Sequence, residues 1–365
     1  MKHWRWLVVA VGVTMLCAVP VVSAQWPVDQ PTIDVATLEA RIASSAATPF
    51  EGLFRSRGGL RLPDLGRLAD EVAPFRQTHR VRIWYVGPDS WRTDDLLVGG
   101  ERGVYREPGT IRLWDSGRRR VIESPRDTTE PPRIPRLMDL APSELGRRLL
   151  RDADGETITA IGARRIAGHV AAGLRITPAT ASTASTITSI DLWAEPTTGL
   201  VLGVEVRTTG AAPVLESAFE DLTLRSPSAA VVRFPVGEVA AELQQTDSVD
   251  PIETLASLPA GVIPFPNSVG GLARSDDGAT AVATYGDGLT RVWVAFVPPG
   301  VLGRRIAALP RTQRPWGGEA ALIETSLINV MLVRGQGYEV IVAGTVTVAE
   351  LDRLAGSALG AGVSG

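Results

Sequence analysis

The chain is poor in the residues that most often carry chemistry. Its 365 residues include one cysteine, Cys17, and three histidines, and the only lysine is Lys2. A lone cysteine excludes an intramolecular disulfide and any paired-cysteine metal site, so stability must come from a packed core. Charge of one sign is also missing: 37 basic and 40 acidic residues leave a formal net charge of -3. That balance gives no support to nucleic-acid binding. There is no G-x-S-x-G element to present a serine nucleophile, and His79 and His169 read as ordinary surface or turn histidines. His-Glu-x-x-His spacing is absent as well. Asp152, Asp154 and Glu156 lack the further spaced acid of a calcium loop, and Asp154-Gly155 reads as a turn. No catalytic residue, metal ligand or cofactor is expected, and the chain reads as a non-enzyme.

What is present begins with a leader. Lys2 and Arg5 precede the apolar run 7–19, and Val22, Ser23 and Ala24 offer small residues before a cut at Gln25. Residues 1–24 therefore read as an export signal, with an uncleaved membrane anchor as the rival, since 6–24 is just long enough to span a bilayer. Either reading puts the rest of the chain outside the cytoplasm, in the periplasm or cell envelope. Cys17 follows Met15 and Leu16 rather than a small residue, so it reads as apolar filler and not a lipid-attachment site.

Beyond the leader the pattern is that of strands with few helices. Leu38, Ile42 and Ala46 share a helical face within 37–47. Val81, Ile83 and Tyr85 then alternate with Arg80, Arg82 and Trp84 along a strand, and 111–122 reads as a hairpin around Ser116-Gly117. A short amphipathic insertion is expected at 62–75, a Pro-rich loop at 124–135 and a helix at 142–150. From 234 to 273 there is no Arg or Lys, while Glu238, Glu242, Asp247, Asp250 and Glu253 accumulate. This stretch predicts an acidic linker at 237–259 between a first domain, 25–236, and a second, 260–360. In the second, the spacing predicts strands around Asp287-Gly288, a helix at 302–309, a hairpin turned at 335–337 and a last helix capped by Thr347 and Glu350. Arg118, Arg119 and Arg120 form the densest basic patch, which reads either as a solvated strand end or as a contact for anionic headgroups or an acidic partner.

The most informative stretch is 190–224. Ile190, Leu192 and Ala194 alternate with Asp191, Trp193 and Glu195; Pro196 to Gly199 break the run; Leu202, Val204 and Val206 follow, then a third strand at 215–224. Its LWAEPTTGLVL core (192–202) and LES-F-DLTL tail (215–224) resemble the RseB/MucB family of periplasmic sigma-factor regulators. ARRIAGHVAAGLRITP (163–178) is similar to a strand, turn and strand of the same family, and YGDGLTRVWVAF (285–296) and GYEVIVAGTVTVAELDRLAGSAL (337–359) are similar to its smaller second domain. The insertion at 62–75 departs from the family pattern.

The resemblance implies an α+β fold, with a LolA-like curved antiparallel sheet wrapped around short helices followed by a small α+β domain. It also implies a regulator that binds a membrane-anchored anti-sigma factor and senses an acyl lipid or lipoprotein through an apolar cavity; a lipid or lipoprotein carrier without a sigma-factor partner is the alternative. Strand parity assigns that cavity to Val81, Ile83, Tyr85, Leu192, Leu202, Val204 and Val206. Trp84 and Trp193 are expected outward with the arginines, and with Tyr285 and Trp293 they are the candidate partner contacts.

Overall fold

The structure is a computed structural model that describes residues 31–60, 75–125, 136–179, 184–237, 242–246, 265–275, 282–297, 306, 308–335 and 338–362. The expected leader lies outside the described residues, as do the insertion apart from Phe75 and most of the Pro-rich loop. The helix expected at 302–309 does too, apart from 306, 308 and 309.

The fold is α+β. Helix α1 (Val35–Ser44) leads into β1 (Phe50–Gly58), β2 (Thr78–Gly87), β3 (Ser90–Leu97), β4 (Gly100–Glu107), β5 (Thr110–Asp115) and β6 (Arg120–Pro125). Helix α2 (Pro142–Arg151) precedes a second run of β7 (Thr157–Ile166), β8 (His169–Thr177), β9 (Ser189–Ala194), β10 (Val201–Arg207) and β11 (Leu215–Thr223). The two runs join edge to edge where β1 pairs with β11, giving a twelve-stranded order β12-β6-β5-β4-β3-β2-β1-β11-β10-β9-β8-β7 that does not close. The twelfth strand, β12 (Glu242–Gln245), lies parallel on β6 and comes from the segment expected as linker, so part of that segment is an edge of the first sheet.

The sheet curls hard at its β7 end. His169, at the start of β8, brings its ring Nε2 within 3.3 Å of the Leu222 carbonyl oxygen on β11, three strands away. β7 and β8 are joined by a tight turn in which Ala167 and Gly168 both take positive φ, the paired left-handed geometry that matches the twist of the flanking strands.

A small hairpin, β13 (Ser268–Val269) and β14 (Leu272–Ala273), opens the second unit. Its six-stranded sheet runs β15 (Val282–Tyr285), β16 (Val292–Val297), β20 (Glu339–Gly344), β19 (Asn329–Arg334), β18 (Glu319–Ile323), β17 (Thr312–Gln313). Helix α3 (Val348–Gly362) buries Leu351, Leu354, Ala355 and Ala358 on Val292, Val294, Met331 and Val342. The Glu350 N–H donates to Thr347 Oγ1 at 3.4 Å, the near half of the expected cap.

Candidate ligand and partner sites

Strand register fixes which side chains share the inner face. Ile176, Ile190, Val206 and Leu215 stand in one row across β8 to β11, and Leu174, Leu192 and Val204 in the next. Val204 is opposite Ser217, Ser217 opposite Ser56, and Ser56 opposite His79, so the row continues onto the face of β2 that carries Val81, Ile83 and Tyr85. The register slips between Val201 and Gly203, which makes Leu202 the bulged residue; it packs in the cluster that holds Val81, Ile83 and Tyr85 together with Trp193 and Phe219.

All seven expected cavity residues are packed. Their exposures lie between 0% and 3%, in clusters that include Leu38 and Ile42 of α1, Leu145 of α2, and Phe50, Met138 and Ala141 beside β2. A void of water size against them would leave their atoms accessible, so this face is a closed core. Tyr85 contributes a tether: its hydroxyl donates to the Ala46 carbonyl just after α1 at 2.7 Å, and burial pushes its pKa up to about 12.

The LWAEPTTGLVL segment is the platform on which the helices sit. Glu195 accepts from the N–H groups of Thr197 and Thr198, at 3.0 and 2.7 Å, and from the Thr198 hydroxyl at 2.7 Å, which ties the turn shut. Burial pushes the Glu195 carboxyl up, but these hydrogen bonds together outweigh it and hold it below the ordinary carboxylate range. Gly199 has φ +71°, and a Cβ there would lie 2.2 and 2.3 Å from the carbonyl carbon and oxygen of Arg41 in α1. Arg41 in turn donates to the Pro196 carbonyl. On α2, a Cβ at Gly146 would meet Val201 Cγ1 at 2.6 Å, so the second helix also lies directly on β10.

Next to this apolar face is a buried polar cluster that includes His79, which the sequence reading placed at the surface or in a turn. His79 is buried, with Nδ1 3.0 Å from Asp95 Oδ2, and Ser56 lies across from it on β1. Ser56 Oγ is fully buried without a hydrogen-bond partner, so the trio does not form a nucleophile and base in contact. Among the described residues no group of three or more His, Cys, Asp or Glu is placed to hold a metal ion.

On the outer face the candidate partner residues divide. Trp84 is half-buried; the Arg92 guanidinium, bonded to Asp94 at 2.8 Å, lies over it at 4.8 Å and over Tyr105 at 4.6 Å. Trp293 is also half-buried, beside Ile341. Trp193 faces the arginine side as parity requires, yet it is only 2% exposed, because the bent β7 strand lies over it. The Arg164 guanidinium stacks on it at 3.7 Å, and its Nε1–H donates to the Gly162 carbonyl at 3.0 Å. Tyr285 is wholly buried, its hydroxyl donating to the Pro266 carbonyl at 2.9 Å. Both are corrected from partner contacts to core.

The seam between the two units was not legible in the sequence. Glu156 accepts from Leu289 N–H at 2.7 Å through one carboxylate oxygen and from Ala179 N–H at 2.6 Å through the other. Leu289 and Leu327 of the second unit are buried in the first unit's core. Residues 184–186 add main-chain bonds, Thr186 N–H to Thr345 and Thr347 N–H to Ala184 at 3.0 and 2.8 Å, and Arg291 pairs with Asp152 at 3.3 Å. Glu156 thus ties the end of β8 in the first unit to the Asp287-Gly288 turn region of the second.

No protein-family profile and no curated protein matches the chain. Among solved structures it is similar to the Pseudomonas aeruginosa MucA/MucB complex, at 19% identity over 88% of this chain and 97% of that one, with a TM-score of 0.49. It is similar to MucB crystallised alone at 19% identity, 90% and 98% coverage and a TM-score of 0.44. A LolA superfamily protein from Nitrosomonas europaea matches at 9% identity, covering 56% of this chain and 99% of that one, with a TM-score of 0.26. No functional residue is carried over from them.

Proposed function

We propose that the chain is an extracytoplasmic, non-enzymatic regulator that binds the outer segment of a membrane-anchored anti-sigma factor. The observation that carries this reading is that the segments resembling the RseB/MucB family are each whole working parts here. LWAEPTTGLVL is the turn that seats α1, the LES-F-DLTL tail is the strand that joins the two halves of the large sheet, and the segments 285–296 and 337–359 build the edge, centre and helix of the second unit. A protein partner, rather than a substrate, also suits a molecule whose buried Ser56 is not hydrogen-bonded to His79 and whose aromatic surface at Trp84 and Trp293 is half open.

Affinity capture with the full chain from detergent-solubilised membranes of the source organism is expected to recover a single-span anti-sigma factor. Recovery of bulk lipid and no such protein would sink the reading.

An acyl chain gains about 0.8 kcal/mol per buried methylene, but the inner face is already filled by α1 and α2. A lipid or lipoprotein signal would therefore act by lifting α1 off the Gly199 platform. A carrier, which must hold its cargo in an open cavity, fits this face less well.

A further inference from the structure

We propose that the corner of the first sheet where the β3–β4 and β5–β6 turns meet docks the protein onto an anionic lipid bilayer. β3 and β4 are joined through Val98 and Gly99. At this tip Leu96 and Leu97 are 37% and 41% exposed and Val98 is fully exposed. Two-residue hairpin turns ordinarily carry Asn, Asp or Gly, which supply the backbone geometry and suit water. Val98, in the turn itself, gains nothing from the fold, and with the partly exposed Leu96 and Leu97 at the end of β3 it forms an apolar patch of the kind that marks a contact surface.

The β5–β6 turn is held against this tip. Ser116 Oγ accepts from Glu101 N–H at 2.8 Å, and Ser116 N–H donates to the Glu101 carbonyl at 3.1 Å. That turn carries Arg118, Arg119 and Arg120, and Arg119 takes φ +51°, a conformation that favours Gly and Asn over arginine. Arg118 and Arg102 share one carboxylate, Asp115, at 3.4 and 3.5 Å, and their side chains are 66% and 47% exposed. Arg102, Arg118, Arg119 and Arg120 lie beside Glu101, Asp115 and Glu242, while Asp95, level with Arg102, is buried against His79, so three consecutive arginines dominate the turn that flanks the apolar tip.

An apolar tip flanked by guanidiniums matches the layered chemistry of an anionic membrane surface. The apolar side chains enter the acyl boundary while the arginines stay at phosphate level. The tip protrudes, which suits insertion into a fluid layer. This inference does not rest on the partner reading above.

The test uses the full chain carrying Cys17→Ser and Val98→Cys, labelled at residue 98 with an environment-sensitive nitrobenzoxadiazole dye. A control carries the label through Pro108→Cys, in the β4–β5 turn at the opposite end of the same strands. With phosphatidylglycerol vesicles the dye at 98 is expected to brighten several-fold while the dye at 108 stays unchanged; phosphatidylcholine vesicles should give little response. Adding Arg118→Gln, Arg119→Gln and Arg120→Gln, with the far-UV circular dichroism matched to the parent, should raise the phosphatidylglycerol needed for half-response at least tenfold. Several results would overturn the proposal: equal brightening at both positions, no response at 98, or a response indifferent to the arginines. So would brightening at 98 on raising protein concentration without vesicles, which would identify a second copy as the occupant.

Discussion

Across β8 to β10 the inward rows are Ile, Leu and Val, and two helices lie on them; across β2 to β5 the outward row is Trp84, Arg92, Tyr105 and Arg112. Both rows come from the same alternating strand pattern. The first is closely packed, with α1 seated on Gly199 and the turn that Glu195 ties shut. The second is a stack of rings and guanidiniums, with Phe234 edge-on to Tyr105 at 5.1 Å and Arg112 at 6.0 Å from Phe234, partly open to solvent. The inner face holds the fold together, and of the outer row Trp84 stays half-buried while Tyr105 is covered by its neighbours.

The largest effect is expected from Val204→Asp, which puts an unpaired charge in the centre of the inner rows. It should cost about 4 kcal/mol and lower the melting temperature by about 10 °C in a circular dichroism melt. A loss as small as that of an outer-face change would mean that the inner face is hydrated. Gly199→Ala comes next, at about 2–3 kcal/mol, because the added Cβ meets the backbone of α1 and the backbone is left-handed there. Its signature in hydrogen exchange is loss of protection in α1 before the strands. Glu156→Ala leaves two N–H groups without their acceptor and should cost about 1–3 kcal/mol, with faster exchange at Leu289 and Ala179 and little change in β8 to β10.

Two smaller effects sharpen the contrast. Because the Glu195 carboxyl is held below its ordinary value in the folded protein, its contribution is complete above the unfolded pKa of about 4.3 and is lost as pH falls through the lower folded pKa. Glu195→Gln should therefore flatten the acid limb of the stability profile, while the native chain loosens α1 there. Trp84→Ala removes one face of the Arg92 stack and should cost only about 1 kcal/mol, since Asp94 still holds the guanidinium. Its larger effect should be on partner capture.

Much of the fold was legible because alternation and turn residues report the strands directly. Ile190 to Val206 read as a hairpin, and it is one. Leu38 and Ile42 read as a buried helical face, and they are buried. What parity does not report is how far the sheet curls or where it slips. The bulge at Leu202 and the bend that carries Arg164 over Trp193 each lie inside a hairpin, β9–β10 and β7–β8, and they bring Leu202 and Trp193 into one cluster. Parity also cannot tell a wall of a cavity from a wall of a core, since both want the same apolar side chains. Tyr85 carried no hint that its hydroxyl would tether α1. Nor did Glu156 announce a seam, because both of its donors come from segments distant in the chain.

Native mass spectrometry of the gently purified chain reads directly whether the inner face is occupied by the protein's own helices. The predicted result is the mass of the bare polypeptide, with no acyl ligand retained at one per chain. A stoichiometric fatty acid or lipid, lost on Val204→Asp but kept on Trp84→Ala, would contradict it and restore the inner face as a binding cavity.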